Sequence, residues 1–293
     1  MSIRLERPRS MKELLATLAV VRRHPHRLLA GGTDLLLELR RAPVEDITLI
    51  SLNRVADARF TDLRHSTQGT WIGAMTTAAM LAAHARVAKQ LPVLHQAAEH
   101  LASTQIREVA TVGGNIGTAS PSGDLVCALM ALDAQCTIVS AVAAKRITPL
   151  RRFFTGPRTT VLRPGELLLG LRVPPPPPGT KQLRSGFNKV GTRRAMECSV
   201  VSLAHHVQLD ADGSITRAGV AFGACAPTVR VPEEACALLH HRRVADLTST
   251  DAMRFADAVV AQAAPITDLR ATAWYRKEAL RNLCAGMVED LAR

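Results

Sequence analysis
The chain carries 293 residues, 47% hydrophobic and 3% aromatic, with 37 Lys and Arg against 25 Asp and Glu for a formal charge of +12. This is core enough for one large domain or two moderate ones, and no stretch has the length of a membrane span or the layout of a signal peptide, so the expectation is a soluble, cytoplasmic protein with no membrane partner. The positive charge is scattered in pairs such as Arg22-Arg23, Arg40-Arg41 and Arg242-Arg243; with few rings to stack on bases, it reads as a solvated basic surface and not as a nucleic-acid site.

In chain order, Ser10 and Glu13 have capping-box spacing, and Leu14, Leu15, Leu18 and Val21 recur on one helical face that Pro25 ends. Residues 27–30 predict a buried strand, 35–41 a helix capped by Thr33 or Asp34, and 47–50 a second strand, which together make a small parallel α/β unit. Residues 60–63 and 70–73 bracket turn residues as a hairpin; Thr76 or Thr77 caps a helix through Met80 and His84; Pro92 opens another that runs through Leu101. Strands follow at 136–139, 146–148 and 167–173, and then five prolines and Gly179, an extended spacer that cannot join a sheet. Beyond it, strands at 187–190, 200–209 and 215–222, with Asp212-Gly213 as a hairpin turn, precede helices at 233–239, 251–261 and 274–291. The pattern is α+β: a two-part domain over 1–173 (a small parallel α/β unit plus a mixed α+β unit), a linker over 174–180, and a smaller domain over 181–293 with helices on one face of an antiparallel sheet.

Two glycine-rich stretches interrupt this order. Gly31-Gly32-Thr33-Asp34 lies between a strand and a helix, where backbone amides and the helix's positive end favour an anion. Ala110 through Asp124 holds Gly113, Gly114, Gly117 and Gly123; Gly113 and Gly114 are expected at positive φ, turning successive amides toward a diphosphate, with Asp124 as the N-cap of an apolar helix over 125–132. The first stretch is neither a GxGxxG fingerprint nor a P-loop. The six cysteines form no CxxC pair and read as buried free thiols, which argues against a cluster inside this chain. The adjacent pairs His205-His206 and His240-His241 diverge and make poor metal ligands, and no residue looks like a substrate-activating acid, base or nucleophile.

Taken together, residues 29–36, Gln105-Ile106-Arg107, 110–115, Phe153 through Pro157, Leu162 through Glu166, Lys189 through Met196 and Asp268 through Arg276 resemble, in order and nearly throughout, the FAD-binding subunit of the molybdenum hydroxylases. That family includes xanthine dehydrogenase, aldehyde oxidoreductases and carbon monoxide dehydrogenase. The resemblance implies FAD as cofactor, held by Leu29, Ala30, Gly31, Gly32, Thr33, Asp34, Leu35 and Leu36 on one side and Thr111, Val112, Gly113, Gly114 and Asn115 on the other. It implies Asp124 near the adenosine portion, and Leu168, Lys189 and Leu101 along the flavin. A C-terminal α+β domain would close over the flavin. It further implies an oxidoreductase subunit that passes electrons from a 2Fe–2S small subunit to NAD, a quinone or oxygen. Substrate chemistry would sit in a molybdenum-cofactor large subunit, in a hetero-hexamer with each subunit present twice. The alternatives are a flavin-free structural subunit that keeps the fold and a self-contained FAD-dependent reductase. Glu108 and Glu197 depart from the asparagine and aspartate common in the family.

Overall fold
The computed structural model describes residues 3–193 and 196–293. Among them, three main sheets and a two-stranded ribbon organise the chain. The first sheet is parallel: β1 (Ile3–Glu6) and β2 (His26–Leu29) both pair with β3 (Ile47–Ser51). Helix α1 (Met11–Val21) joins β1 to β2, and α2 (Leu35–Arg41) joins β2 to β3. The Ser10 hydroxyl accepts from the Glu13 amide at 3.2 Å, but the Glu13 carboxylate takes the Arg9 amide, one residue before the donor a capping box uses. Strand β1 had no signal in the polar N-terminal sequence, because it lies on a sheet edge with most of its residues exposed.

Next come α3 (Ala58–Thr61), β4 (Leu63–Ser66) and β5 (Gly69–Gly73). The expected hairpin exists but starts later, because Phe60 is fully buried from α3 instead of a strand. A run of short helices follows: α4 (Ala78–Ala83), α5 (Ala85–Gln90), α6 (Pro92–Glu99), α7 (Thr104–Val109), α8 (Val112–Thr118) and α9 (Asp124–Ala131). Thr77 caps α4, Pro92 takes the first position of α6, and Leu101 falls beyond that helix. Then β6 (Gln135–Ser140), β7 (Arg146–Pro149), the ribbon β8 (Phe154–Gly156) with β9 (Thr159–Thr160), and β10 (Glu166–Val173) complete an antiparallel sheet of order β4-β5-β10-β6-β7. Across the intervening β6, Arg146 grips Glu166 with two hydrogen bonds, Nε to Oε1 at 2.9 Å and Nη2 to Oε2 at 2.6 Å.

Residues 174–181 carry no helix or strand. The third sheet, β11 (Gln182–Val190), β12 (Val201–Leu209) and β13 (Ile215–Gly223), is an antiparallel meander, and α10 (Glu233–Leu239), α11 (Ser249–Ala261) and α12 (Ala273–Leu291) follow it. Its own helices cover one face: Leu203, Val207, Val220 and Phe222 share a core with Phe255, Leu280 and Met287. The other face carries Phe187, Ala204 and Ala221 into the core of the N-terminal half, where α6 and α9 pack on it. The sheet is therefore sandwiched, and the two halves share buried apolar surface. Of the six cysteines, Cys198 alone is exposed; burial pushes Cys127, Cys136 and Cys225 up to about 12.

Candidate functional site: two glycine stretches in contact
The first glycine stretch leaves β2 at Leu29, bends through Ala30 to Asp34 and enters α2 at Leu35. Gly32 sits at φ +72, in the left-handed region that glycine adopts without strain. The amides of Gly31, Gly32, Thr33 and Asp34 donate to no protein acceptor among the described residues. No side chain caps α2; the Asp34 carboxylate instead accepts from Arg158 Nη1 at 3.1 Å. Gly31 is required by contact, since a Cβ there would lie 1.8 Å from the carbonyl oxygen of Val109. The first stretch thus presses on the junction of α7 and α8, where the second begins.

The second stretch is not the positive-φ turn that its glycines suggested. Val112 through Asn115 form the first turn of α8, and Thr111 caps it, its Oγ1 accepting from the Gly114 amide at 3.0 Å. The amides of Val112 and Gly113 go to the carbonyls of Thr76 and Ala74 at 2.9 and 2.7 Å, and that of Asn115 goes to Thr111. The amides of Val112 through Asn115, four of the donors expected to oppose the first stretch, are therefore consumed by the protein. Left-handed backbone comes only at Ala119, φ 50, which ends the helix. The glycines serve shape instead. A Cβ on Gly113 would strike Ala74 at 2.7 Å, and one on Gly114, whose backbone is otherwise uncovered by side chains, would meet Thr111 Oγ1 at 2.9 Å and the Ala30 Cβ at 4.0 Å.

Two side chains beside this junction have unusual surroundings. Asn115 Oδ1 is buried with no protein partner, a costly state unless a ligand or water donates to it. Asp124 is the first residue of α9, not its cap, which is Gly123. Its carboxylate, 3% exposed as a residue, accepts from Lys189 Nζ at 2.7 Å and from Ser199 Oγ at 2.6 Å. Burial pushes the Asp124 carboxyl up from its ordinary value, opposed by Lys189 and Ser199. Lys189 also donates to the Glu197 carbonyl at 3.0 Å. The resemblance put Asp124 and Lys189 at different parts of FAD, but 2.7 Å apart they belong to one place.

Leu168 is buried in β10 beside the register shift that precedes Gly170, and Leu101 is half-buried, its carbonyl accepting from Arg107 at 3.0 Å. In the arginine-rich segment near Lys189, Arg194 and Ala195 lie outside the described residues; beside them the Arg193 amide donates to the Glu197 carboxylate at 2.7 Å. One residue was missed. Arg158, in the turn between β8 and β9, adopts φ 57, donates its amide to the Ala119 carbonyl at 2.9 Å and reaches Asp34 with its guanidinium. It ties the end of α8 to the first stretch; its only sequence signal is that it follows Phe153 through Pro157.

The amides without acceptors, the uncovered backbone of Gly114 and the orphaned Asn115 oxygen suit a polyanionic ligand with hydrogen-bond donors, which FAD is. Comparison with known proteins points the same way. Residues 1–176 match the family described as FAD binding domain in molybdopterin dehydrogenase, and residues 187–291 match the CO dehydrogenase flavoprotein C-terminal domain. The chain is 34% identical over 202 residues to the xanthine dehydrogenase FAD-binding subunit of Escherichia coli O157:H7, covering 69% of this chain and 68% of that one. It is 28% identical over 270 residues to the carbon monoxide dehydrogenase medium chain of Afipia carboxidovorans, covering 92% and 90%. Among solved structures, a chain of cyanide-inactivated Cu,Mo-CO dehydrogenase superposes with a TM-score of 0.89 at 25% identity, covering 100% of this chain and 98% of that one. The α+β scaffold, the paired glycine stretches and these matches agree: the chain belongs to the FAD-binding subunits of the molybdenum hydroxylases, an oxidoreductase family, and its cofactor is FAD.

Proposed function
We propose that this chain is the electron-relay subunit of a cytoplasmic molybdenum hydroxylase, carrying electrons from the 2Fe–2S clusters of a small subunit to NAD, a quinone or oxygen. A molybdenum-cofactor large subunit would perform the substrate chemistry, in a hetero-hexamer with each subunit present twice. The observation that carries the reading is the run of amides from Gly31 to Asp34 without protein acceptors, set against the bare backbone of Gly114. That the Afipia relative is named a medium chain supports the multi-subunit assembly. Among the described residues no helix is long and apolar enough to cross a membrane.

In this reading Gly31 through Asp34 hold the diphosphate with their amides, flanked by Leu29, Ala30, Leu35 and Leu36. Thr111 through Asn115 form the opposite wall, with the Thr111 hydroxyl proton and the Asn115 amide as polar contacts. Bound FAD supplies a centre that takes electrons singly and releases them as a pair. The protein's own part is positioning. Lys189, held by Asp124 and by the Glu197 carbonyl, sits at the junction of the two halves, where its ammonium group would favour negative charge on the bound cofactor; Leu101 and Leu168 would supply apolar wall. The division into 1–173, the 174–180 linker and 181–293 belongs to the same reading, and the prolines' lack of helix or strand supports it.

Co-expression with a 2Fe–2S subunit and a molybdenum subunit tests it. A three-component complex is expected, with a flavin absorption that bleaches on adding the hydroxylase's substrate, whereas the isolated chain should hold FAD and show no bleaching. A colourless chain that cannot be reconstituted, or an isolated chain that oxidises an aldehyde or purine at enzymatic rates, would overturn the relay reading.

A further inference from the structure
A cavity of about 540 Å³ lies away from the glycine stretches, under the proline run and between the β4–β5 hairpin, α5 and the far end of the third sheet. It is at the opposite end of β11 from Lys189: Leu183, which lines it, is six residues away, about 20 Å at roughly 3.3 Å per residue. Three cations line it, Arg86, Lys181 and Arg217, and no carboxylate does so among the described residues. The nearest acid paired with any of them is Asp133, whose carboxylate is 3.9 Å from Arg217, at the limit of ion-pair contact.

The sheet wall of the cavity has a defined polarity. Gln208 on β12 pairs in register with Arg217 on β13, and His206 stands two residues away on the same face. Burial pushes the His206 imidazole down to about 3, so it is neutral. Its Nδ1 is 3.0 Å from Ser185 Oγ, which already accepts from the Val93 amide, and its Nε2 is 3.2 Å from Gln208 Nε2. An amide nitrogen can only donate, so Gln208 Nε2 as placed donates to the ring, His206 Nδ1 carries the ring proton toward Ser185 Oγ, and Gln208 Oε1 is left as an acceptor. That oxygen is buried, in a residue 4% exposed, and has no partner. Across the cavity, His65 Nε2 is also buried without a partner. Leu91, Leu132, Val173 and the prolines supply apolar wall.

From this lining we propose that the cavity is a second ligand site, for a small organic anion with a flat apolar body and an N–H donor. The anionic group meets Arg86, Lys181 and Arg217, the N–H satisfies Gln208 Oε1, and the body lies against the leucines and prolines. The volume falls in the ordinary range for small-molecule sites, about 300–1,000 Å³, and is far larger than a bare inorganic anion needs. Because the walls come from both halves of the chain and from the connection between them, an occupant contacts all three.

Titration calorimetry on the full chain loaded with FAD, using indole-3-carboxylate as probe, tests the proposal. Indole-3-carboxylate should bind about tenfold or more tighter than indole, which lacks the charge, than 1-methylindole-3-carboxylate, which lacks the donor, and than inorganic phosphate, which lacks the body. Arg86→Met and Lys181→Met, each a change of a lining cation, should weaken the probe several-fold while leaving the FAD content unchanged. Gln208→Leu, close in shape to the native side chain, should abolish the preference over the N-methyl analogue. The proposal fails if the probe does not bind at millimolar concentration, if the three analogues bind as well as it does, or if correctly folded, FAD-loaded Arg86→Met and Lys181→Met chains bind it with unaltered affinity.

Discussion
Gly31 and Gly286 show how differently one added methyl group acts at two glycines. At Gly31 the new Cβ would lie 1.8 Å from the Val109 oxygen, a clash with backbone that no rotamer relieves. Gly31→Ala should therefore lose about 2–3 kcal/mol of stability, or separate the two glycine stretches and release FAD. At Gly286, inside α12, a Cβ meets nothing within 4 Å, so Gly286→Ala should add about 0.5–1 kcal/mol by restricting the unfolded chain. Urea unfolding of both variants checks the contrast, and equal effects would contradict it. Arg158 acts at the same scale. Its guanidinium bonds Asp34, in the stretch proposed to hold the diphosphate, and its amide bonds Ala119. Arg158→Gln should raise the FAD dissociation constant about tenfold, the worth of one hydrogen bond to a charged group, with riboflavin binding unchanged. Equal losses for FAD and riboflavin would place Arg158 away from the diphosphate.

Among elements, the antiparallel sheet is tied across its strands by the Arg146–Glu166 pair, which links β7 to β10 over the back of β6. The two hydrogen bonds from Arg146, with a third from the Arg163 amide, hold the Glu166 carboxyl below its usual value. A lowered carboxylate contributes stability that is present above its unfolded pKa, near 4.5, and is lost as pH falls through the folded value. Unfolding followed from pH 7 downward should show this loss in the parent chain. Glu166→Gln should lower stability at pH 7 by roughly 1–3 kcal/mol and flatten the slope below pH ~4.5; a variant with the parent's slope would show that other carboxylates carry it. Elements were more legible in the sequence than this cross-strand tie. The strand–glycine–helix order at 26–41, the parallel unit and the three C-terminal helices follow from local periodicity and capping, and stand within a residue or two of their expected places. The second glycine stretch misled because Gly113 is demanded by Ala74, a contact supplied by a distant part of the chain and invisible to local reading. Arg158 was missed for the same reason, since its partner Asp34 is 124 residues earlier.

At the scale of the whole molecule, the third sheet lies between its own helices and α6 and α9 of the other half, and a buried ion pair crosses that contact. Asp124 opens α9, whereas Lys189 and Ser199 come from the C-terminal half. Lys189→Met would leave the carboxylate buried with Ser199 as its remaining side-chain partner, and should cost about 3–5 kcal/mol, the range for breaking a buried ion pair from one side. Denaturant unfolding monitored separately by flavin and by tryptophan signals would read it; a loss under about 1 kcal/mol would reduce the pair to the status of a surface contact. The cofactor itself should stabilise the fold, by about 2.7 kcal/mol at a hundred times its dissociation constant.

The position of the one exposed thiol has a practical consequence. Cys198 is the immediate neighbour of Ser199, whose hydroxyl closes on Asp124. Burial holds Cys127, Cys136, Cys225 and Cys236 in the unreactive thiol form, at about 11 to 12. A maleimide dye added briefly at neutral pH should therefore label Cys198 and little else. The native sequence thus carries a built-in attachment point, and the dye's emission would report on the Asp124–Ser199 contact between the two halves without an engineered cysteine.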